Sequence, residues 1–548
     1  MAESDVKHMF PKLNAAQIAR LEPFGRRRTA KQGEILFEQG QSDVNFFLLI
    51  EGSIEIVNPA RSDEILITVH EPGEFTGEVN MLTGRRSVVR ARARTACELL
   101  EMDRSELRRI VQTDAELSEI LLRAFILRRI YLITQTPGDV VLVGSGHSAD
   151  TLRLREFLTR NGHPHTYIDV ERDTGVQEML NQFSVKIDEI PVLICRGERV
   201  LRNPTNAETA DCLGFNAQIS DATVYDVIVV GAGPSGLAAA VYAASEGLRV
   251  LVLESSAPGG QAGSSSRIEN YLGFPTGVSG QELAGRAFIQ AQKFGAEIAI
   301  ARSAARLTCD RRPFAVELSN GGTVRGQSVI IATGAAYRKL PLANLSRFEG
   351  AGVYYGATRV EAQLCDGAEI AIVGGGNSAG QAAVFLSESA KHVHLLVRGN
   401  GLADSMSRYL IRRIEESPII TLRPHTQIEA LEGNGHLERL RWHCDGSPPD
   451  VRDIQHLFLM TGASPNTAWL GGCVVLDDKQ FVKTGTDLNT DDLAAAKWPL
   501  RRPPYLLETS LPHVFAVGDV RSGSVKRVAS AVGEGSIALQ FVHKVLAE

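Results

Sequence analysis

The chain has 548 residues, 51 of them glycine, with 44% hydrophobic residues and a net charge of −6 at pH 7. That length is too great for one hydrophobic core, and the acidic balance lacks the excess of positive charge that holding nucleic acid requires. No apolar run approaches the roughly 20 residues of a membrane span, and the opening MAESDVKHMF has no signal-peptide core. The expectation is a multidomain cytoplasmic protein that engages neither nucleic acid nor membrane. Seven cysteines, Cys97, Cys195, Cys212, Cys309, Cys365, Cys444 and Cys473, are scattered without a CxxC pair, which predicts neither a disulfide framework nor a metal site.

From about Lys31 to Met102, short β-type runs alternate with glycine turns: GEILFEQG, NFFLLIEGSIEIV, EILITVHEPGEF and VVRARARTACELLEM. This spacing predicts an all-β barrel or jelly roll. Within it, FTGEVNMLTGRRSVVRARA resembles the phosphate cassette of cyclic-nucleotide-binding domains. The resemblance covers residues 1–135 and implies that Gly77 and Glu78 take the ribose, and Arg86 with Ser87 the cyclic phosphate. A guanidinium and a hydroxyl suit phosphate oxygens. The segment after Glu78 is shorter than the family pattern and Arg85 competes with Arg86, so cyclic nucleotide is expected to bind weakly or not at all. The following AELSEILLRAFILRRIYLI places Leu117, Ile120, Leu121 and Ala124 at helical spacing. ITQTPGDVVLVGS then stands where a transcription regulator of this type would carry a helix-turn-helix.

Residues 139–216 read as strand VVLVG, helix ADTLRLREFLTRNG, strand TYIDV, helix GVQEMLNQF, strand VLIC and helix NAETADCLGF. The order resembles thioredoxin and glutaredoxin domains, and Ile190-Pro191 resembles their cis-proline loop. Where that family carries its redox cysteines, this chain reads SGHS. Gly146, His147 and Ser148 cannot shuttle a disulfide, and Ser148 suits a helix N-cap. A redox-inert, cysteine-free adaptor is expected.

The largest unit runs over 222–548 and opens with DVIVVGAGPSGLAAAVYAASEGLRVLVLE. Gly231 permits the tight turn after a buried strand, Gly233 lets the backbone approach a pyrophosphate, and Gly236 lets helix and strand pack closely. Pro234 and Ser235 open the helix. Glu254 ends the second strand, where an acid accepts ribose hydroxyls. A second fingerprint, EIAIVGGGNSAGQAAVFL, puts Gly374, Gly376 and Ala379 in the three small-residue positions, with Asn377 and Ser378 between them. Its second strand, HVHLLVRG, ends in Arg398, which suits the 2′-phosphate of NADPH, NADH being the alternative.

Beyond the first fingerprint, PGGQA, IENYLGFP, IIATGA, FAVGDV and KRVASAVGEGS follow in the order seen in low-molecular-weight thioredoxin reductases, which this region resembles. The resemblance implies a multidomain α/β flavoprotein. Its FAD domain would span 222–345 and 465–548, interrupted by an NADPH domain over about 352–461. Gly260, Gln261 and Asn270 would touch FAD, Thr333 and Gly334 would pass near its pyrophosphate, Gly518 and Asp519 would meet the ribityl chain, and Arg527, Val528 and Ala529 would line the ring system. The family's habit implies a homodimer. Thioredoxin reductases carry CATC before the second nucleotide strand, whereas this chain reads GATR, with Gly356 and Arg359 at the cysteine positions. Cys365 is the nearby thiol, and one thiol cannot form an intramolecular disulfide.

The expected function is therefore an FAD-dependent oxidoreductase in which FAD itself is the catalytic group. Electrons from NAD(P)H would pass to an unidentified acceptor, with the barrel as a regulatory domain. Two alternatives are a thioredoxin-disulfide reductase using an external or single-cysteine route through Cys365, and a non-catalytic flavin sensor.

Overall fold

A computed structural model describes residues 8–548 apart from 60–63, 78–79, 84, 136–139, 147, 172–188, 196–198, 217–218, 220–221, 266 and 404–405; the side chains of 83, 130, 133–135 and 359 are also left undescribed. Glu78, His147, the side chain of Arg359 and the expected helix GVQEMLNQF thus lie outside the described residues.

The N-terminal region folds as two antiparallel sheets, one ordered Arg26–Ala30, Cys97–Met102, Phe46–Glu51 and the other Ile35–Phe37, Arg90–Ala93, Ile54–Pro59, Glu64–His70. Strand Phe46–Glu51 buries four consecutive apolar residues, Phe46 to Leu49. It lies inside a closed roll rather than on a half-exposed sheet. Helix α1 (Ala115–Gln135) adds Leu117, Leu121, Ala124 and Phe125 to the same core.

A four-stranded sheet follows, ordered Arg199–Arg202, Val192–Cys195, Val140–Gly144, Thr166–Asp169, with the last two strands parallel and the other pairs antiparallel. Helix α2 (Ala149–Arg160) is capped by Ser148, whose hydroxyl accepts from the Thr151 amide. Helix α3 (Asn206–Leu213) opens on a Thr205–Glu208 capping box and stops at Gly214, where φ of 67° admits glycine readily. The Ile190-Pro191 peptide is cis.

The third unit carries two parallel sheets. In the first, Glu297–Ile300, β2 (Val250–Glu254), β1 (Val224–Val230) and β3 (Thr323–Ile331) lie side by side in parallel. Two antiparallel strands extend it, and β7 (Val514–Ala516) pairs with β3. Helix α4 (Pro234–Ser245) connects β1 to β2 and packs against α6 (Val528–Ala547). In the second sheet, Val353–Tyr354, β6 (His456–Leu459), β4 (Glu369–Val373), β5 (His392–Leu396) and Ile420–Arg423 are all parallel, and α5 (Asn377–Leu386) follows β4. The chain passes between the two sheets through a pair of short antiparallel strands, Ala335–Tyr337 against Ala463–Pro465.

Cysteine chemistry departs from the sequence expectation in two places. Cys309 and Cys473 are joined in a disulfide across 164 residues. Their positions give no hint of this, because the return of the chain from the second sheet brings them together. The second domain is also not cysteine-free: Cys195 and Cys212 belong to it, both buried, with Sγ atoms 3.0 Å apart. The strand carrying one and the helix carrying the other face each other across its core.

Candidate functional site

The first fingerprint is tightly determined. Gly231 has φ of 108°, and a Cβ there would stand 2.3 Å from the Ala332 carbonyl oxygen; at Gly236 it would stand 1.9 Å from the Gly231 oxygen. The fold itself demands glycine at both. Gly233 is different: the nearest heavy atom to a Cβ there is Gly260 Cα, at 4.0 Å. Its lack of a side chain leaves a cradle between the two glycine turns. Gly233 is also the N-cap of α4, and no side chain caps that helix. Its first-turn amides, from Ser235 onward, form an anion-binding end, with Pro234 at the first position, where a missing N–H costs nothing.

Glu254 closes this turn from below. It is buried, and its carboxylate accepts from the Ala232 amide and the Ser256 amide, each at 2.8 Å. Burial raises its pKa against the pull of those two bonds. Gln261 donates to the Ala335 carbonyl, while Asn270 is exposed. On the other side, Thr333 donates to the Asn466 carbonyl (2.8 Å), and the Asn466 amide returns a bond to the Thr333 carbonyl (2.9 Å). Asn466 also gives its backbone N–H to Gly334, so it fixes the turn carrying both expected residues. Sequence reasoning missed Asn466; its signal was an amide directly after the second crossing strand.

Asp519 lies one residue past Gly518 in a short 3-10 turn after β7. Burial raises its pKa, opposed by Lys526, whose ammonium donates to the Asp519 carbonyl (3.3 Å). The Gly518 amide donates to Glu534 (2.7 Å), which also pairs with Arg521. Arg527 is the N-cap of α6, and Arg527 and Ala529 are exposed while Val528 is half-buried. The structure thus brings Gly231, Gly233, Gly236, Glu254 and Gly260 to one turn. Thr333 and Gly334 line its edge, since the Gly231 Cβ position lies 3.2 Å from Thr333 Cα. Gly518 lies against the same helix, 2.6 Å from Ser235 Oγ at its Cβ position. A cradle that protein atoms do not fill, an uncapped helix end, the buried Glu254 and the half-buried Asp519 fit a dinucleotide.

In the second fingerprint, a Cβ on Gly374 would lie 2.4 Å from the Met460 oxygen, and Gly376 has nothing within 4 Å. Ala379 is buried, and Asn377 accepts from the Ser407 amide (2.7 Å). Burial raises the pKa of Tyr337, on the connecting strand, opposed by Ser378 of the second fingerprint and helped by the Asp519 charge. Arg398 is exposed, two residues past the end of β5.

At the GATR segment, a Cβ on Gly356 would reach Ser264 Cβ at 4.0 Å, on the loop that follows Gly260. Thr358 forms a capping box with Glu361 and starts the helix Arg359–Leu364. Cys365 ends that helix, fully buried, and burial pushes its thiol up to about 11. A buried thiol of that kind is chemically inert.

The barrel cassette departs from its expected role. Arg86 donates to the Cys212 carbonyl (3.4 Å) in the second domain, not into the barrel, and Arg85 is buried with its guanidinium 4.8 Å from the Phe215 ring and 5.0 Å from Phe288. Two cations beside a short cassette are drawn outward because aromatic and carbonyl partners in the neighbouring domains accept them. Gly77 and Ser87 do line the barrel cavity. The second domain also grips the first fingerprint: Arg160 donates to the Gly260 carbonyl (2.9 Å) and Asn161 to the Ser256 carbonyl (3.2 Å). Toward the second sheet, Arg155 reaches Gln363 (2.7 Å). Among the described residues, no group of three or more His, Cys, Asp and Glu side chains could hold a metal, and no helix is long and apolar enough to cross a membrane.

Comparison with known proteins agrees with this geometry. The chain is 31% identical over 376 residues to the NADPH-dependent thioredoxin reductase 3 of Arabidopsis thaliana, across 64% of this chain and 65% of that protein. It is 30% identical over 337 residues to the thioredoxin reductase of Listeria monocytogenes, across 60% of this chain and 96% of that one. The crystal structure of T. acidophilum thioredoxin reductase superposes with a TM-score of 0.52 at 27% identity, over 59% of this chain and 99% of that one. Residues 27–114 match the cyclic nucleotide-binding domain. Residues 225–535 match the pyridine nucleotide-disulphide oxidoreductase family, which implies FAD and NAD(P)H as cofactors, and the chain belongs to that family through a thioredoxin-reductase-like region.

Proposed function

We propose that this protein is an NADPH- and FAD-dependent oxidoreductase whose electrons leave the flavin for an external acceptor without passing through an internal dithiol. The observation that carries this is the GATR segment. Thr358 there serves as a helix cap, and the nearest thiol, Cys365, is fully buried with a raised pKa. Bound FAD supplies the chemistry of accepting hydride from a nicotinamide and passing on its electrons. The chain's own residues bind and orient. Gly233 and the amide end of α4 take the pyrophosphate, Glu254 and Asp519 accept sugar and ribityl hydroxyls, and Arg527 to Ala529 border the ring at the start of α6. Gly374 to Ala379 hold the second nucleotide, and Arg398 selects its 2′-phosphate.

The four-stranded second domain reads as a thioredoxin-like adaptor, supported by its strand order. The barrel is a regulatory module without a working cyclic-phosphate arginine, since Arg86 is committed to Cys212. Anaerobic titration of the purified protein with NADPH, followed by steady-state turnover with quinones, dioxygen and disulfide acceptors, tests the assignment. Stoichiometric bleaching of a flavin and turnover with a non-thiol acceptor are expected. Protein that takes up no FAD, or whose thioredoxin reduction vanishes in Cys365→Ser, would refute it.

A further inference from the structure

Two thiols face each other in the second domain. Cys195 is the last residue of its strand and Cys212 lies in the last turn of α3; their Sγ atoms are 3.0 Å apart, the Cys212 thiol donating to Cys195. A disulfide needs about 2.0 Å between sulfurs, so about 1 Å of closure joins them. Neither sulfur sits in the middle of its element: the strand stops at Cys195, and after Leu213 the helix gives way to the left-handed turn at Gly214. Cys195 is 3% exposed and Cys212 5%. Cys365 differs, being fully buried with its Sγ against the Ala362 carbonyl rather than a second thiol.

The helix end that carries Cys212 is where the three domains meet. The Cys212 carbonyl accepts from Arg86 of the barrel (3.4 Å), and the Arg86 side chain packs on Gly214, whose Cβ position lies 2.5 Å from Arg86 Nε. Phe215 takes the Arg85 guanidinium over its ring at 4.8 Å. Arg85 also donates to the Asn161 carbonyl (3.5 Å), and the Asn161 side chain holds Ser256 beside the first fingerprint. Asp211 pairs with Arg302, just past the edge strand of the first nucleotide sheet. Movement of α3 toward the strand therefore shifts a carbonyl, a ring and a carboxylate that the neighbouring domains hold.

We propose that Cys195 and Cys212 are a reversible oxidation site: hydrogen peroxide joins them in a disulfide, and the shift of α3 passes to the barrel through Arg85 and Arg86. Peroxide transfers one oxygen to one sulfur as its O–O bond breaks, leaving a sulfenic acid and one water. The other sulfur attacks that acid. An S–S bond forms, and the hydroxyl leaves with the attacking thiol's proton as a second water. Two thiols thus lose two electrons and the peroxide gains them. Since the second thiol is already alongside, the condensation is intramolecular and needs no further encounter. An external dithiol restores both thiols by exchange and becomes a disulfide itself. None of these steps involves the flavin.

The test is peptide mapping and amide exchange of the full chain before and after hydrogen peroxide, and again after dithiothreitol. Five cysteines are free in the structure. Alkylation in denaturant without reductant should therefore lose two thiols per chain on oxidation, with a linked peptide joining Cys195 to Cys212. Dithiothreitol added to the native chain should return both. Cys212→Ser should yield no linked peptide; should that variant not fold, mapping of the parent decides alone. Amide exchange should change in α3 and around Arg85 and Arg86, and less in the barrel strand Cys97–Met102. Both thiols still alkylated after peroxide, a linkage of either to some other cysteine, or a disulfide that leaves exchange around Arg85 and Arg86 unaltered would each overturn the proposal.

Discussion

The two glycine fingerprints share a pattern and differ in how far the protein has completed them. In the first, the groups that fix the turn are already placed: Glu254 is buried and holds two amides, Gly236 lies against the Gly231 oxygen, and Arg160 and Asn161 of another domain fasten the adjoining loop. In the second, Gly376 faces open space and the charged group that would read the nucleotide, Arg398, is exposed. A preorganised, enclosed site loses little freedom on binding and suits a resident cofactor, whereas an open one suits a nucleotide that must leave after each turnover. The strand–turn–helix motif alone does not separate these roles; the burial of the acid or base at the end of the second strand does.

The sharpest way to break the contrast is Gly236→Val. Its Cβ would meet the Gly231 oxygen at 1.9 Å, backbone that cannot move aside, so loss of soluble folded protein is expected. Gly233→Val separates the fold from the ligand: a Cβ there meets no protein atom closer than 4.0 Å. The variant should retain its circular dichroism while losing flavin absorbance. A misfolded Gly233→Val would place that glycine with the structural ones. Glu254→Gln replaces one of two acceptor oxygens with a donor aimed at a backbone amide. It should cost about 1–3 kcal/mol in unfolding free energy and also weaken FAD retention.

Smaller effects belong to the second site. Arg398→Ala should lower the preference for NADPH over NADH by about ten- to a hundredfold in kcat/KM with the melting temperature unchanged, because the side chain is exposed. An equal loss with both nucleotides would mean that Arg398 does not read the 2′-phosphate. The least consequence is expected for Cys365→Ser, where a hydroxyl replaces a thiol that points at the Ala362 carbonyl at 3.6 Å. NADPH oxidation should stay within about twofold of the parent, in line with a stability change under about 1 kcal/mol.

Much of this contrast was legible in the sequence, because it rests on local pattern. Gly231, Gly236 and Glu254 announce a strand, a turn and a second strand by spacing alone, and Arg398 is read from its place after HVHLLV. What the sequence concealed depends on contacts between distant segments. The shortened cassette hinted that Arg86 was doubtful, yet nothing local says that it points to Cys212 or that Arg85 lies between Phe215 and Phe288. Nor does the scatter of cysteines reveal that Cys195 meets Cys212 in one core, or that Cys309 finds Cys473. The grip of Arg160 on Gly260 spans 100 residues and rests on a plain backbone carbonyl, an acceptor that every residue offers.

The Cys309–Cys473 bond has a consequence for how the chain behaves when cut. Its two ends flank the whole second nucleotide sheet, from Val353 to Leu459, as well as the connecting strands on either side. A protease that nicks any loop of that sheet therefore yields two fragments that still migrate as one species on a denaturing gel until a reductant is added. The first nucleotide sheet would keep its returning strand β7 covalently tethered to its early strands even after the segment between them is severed.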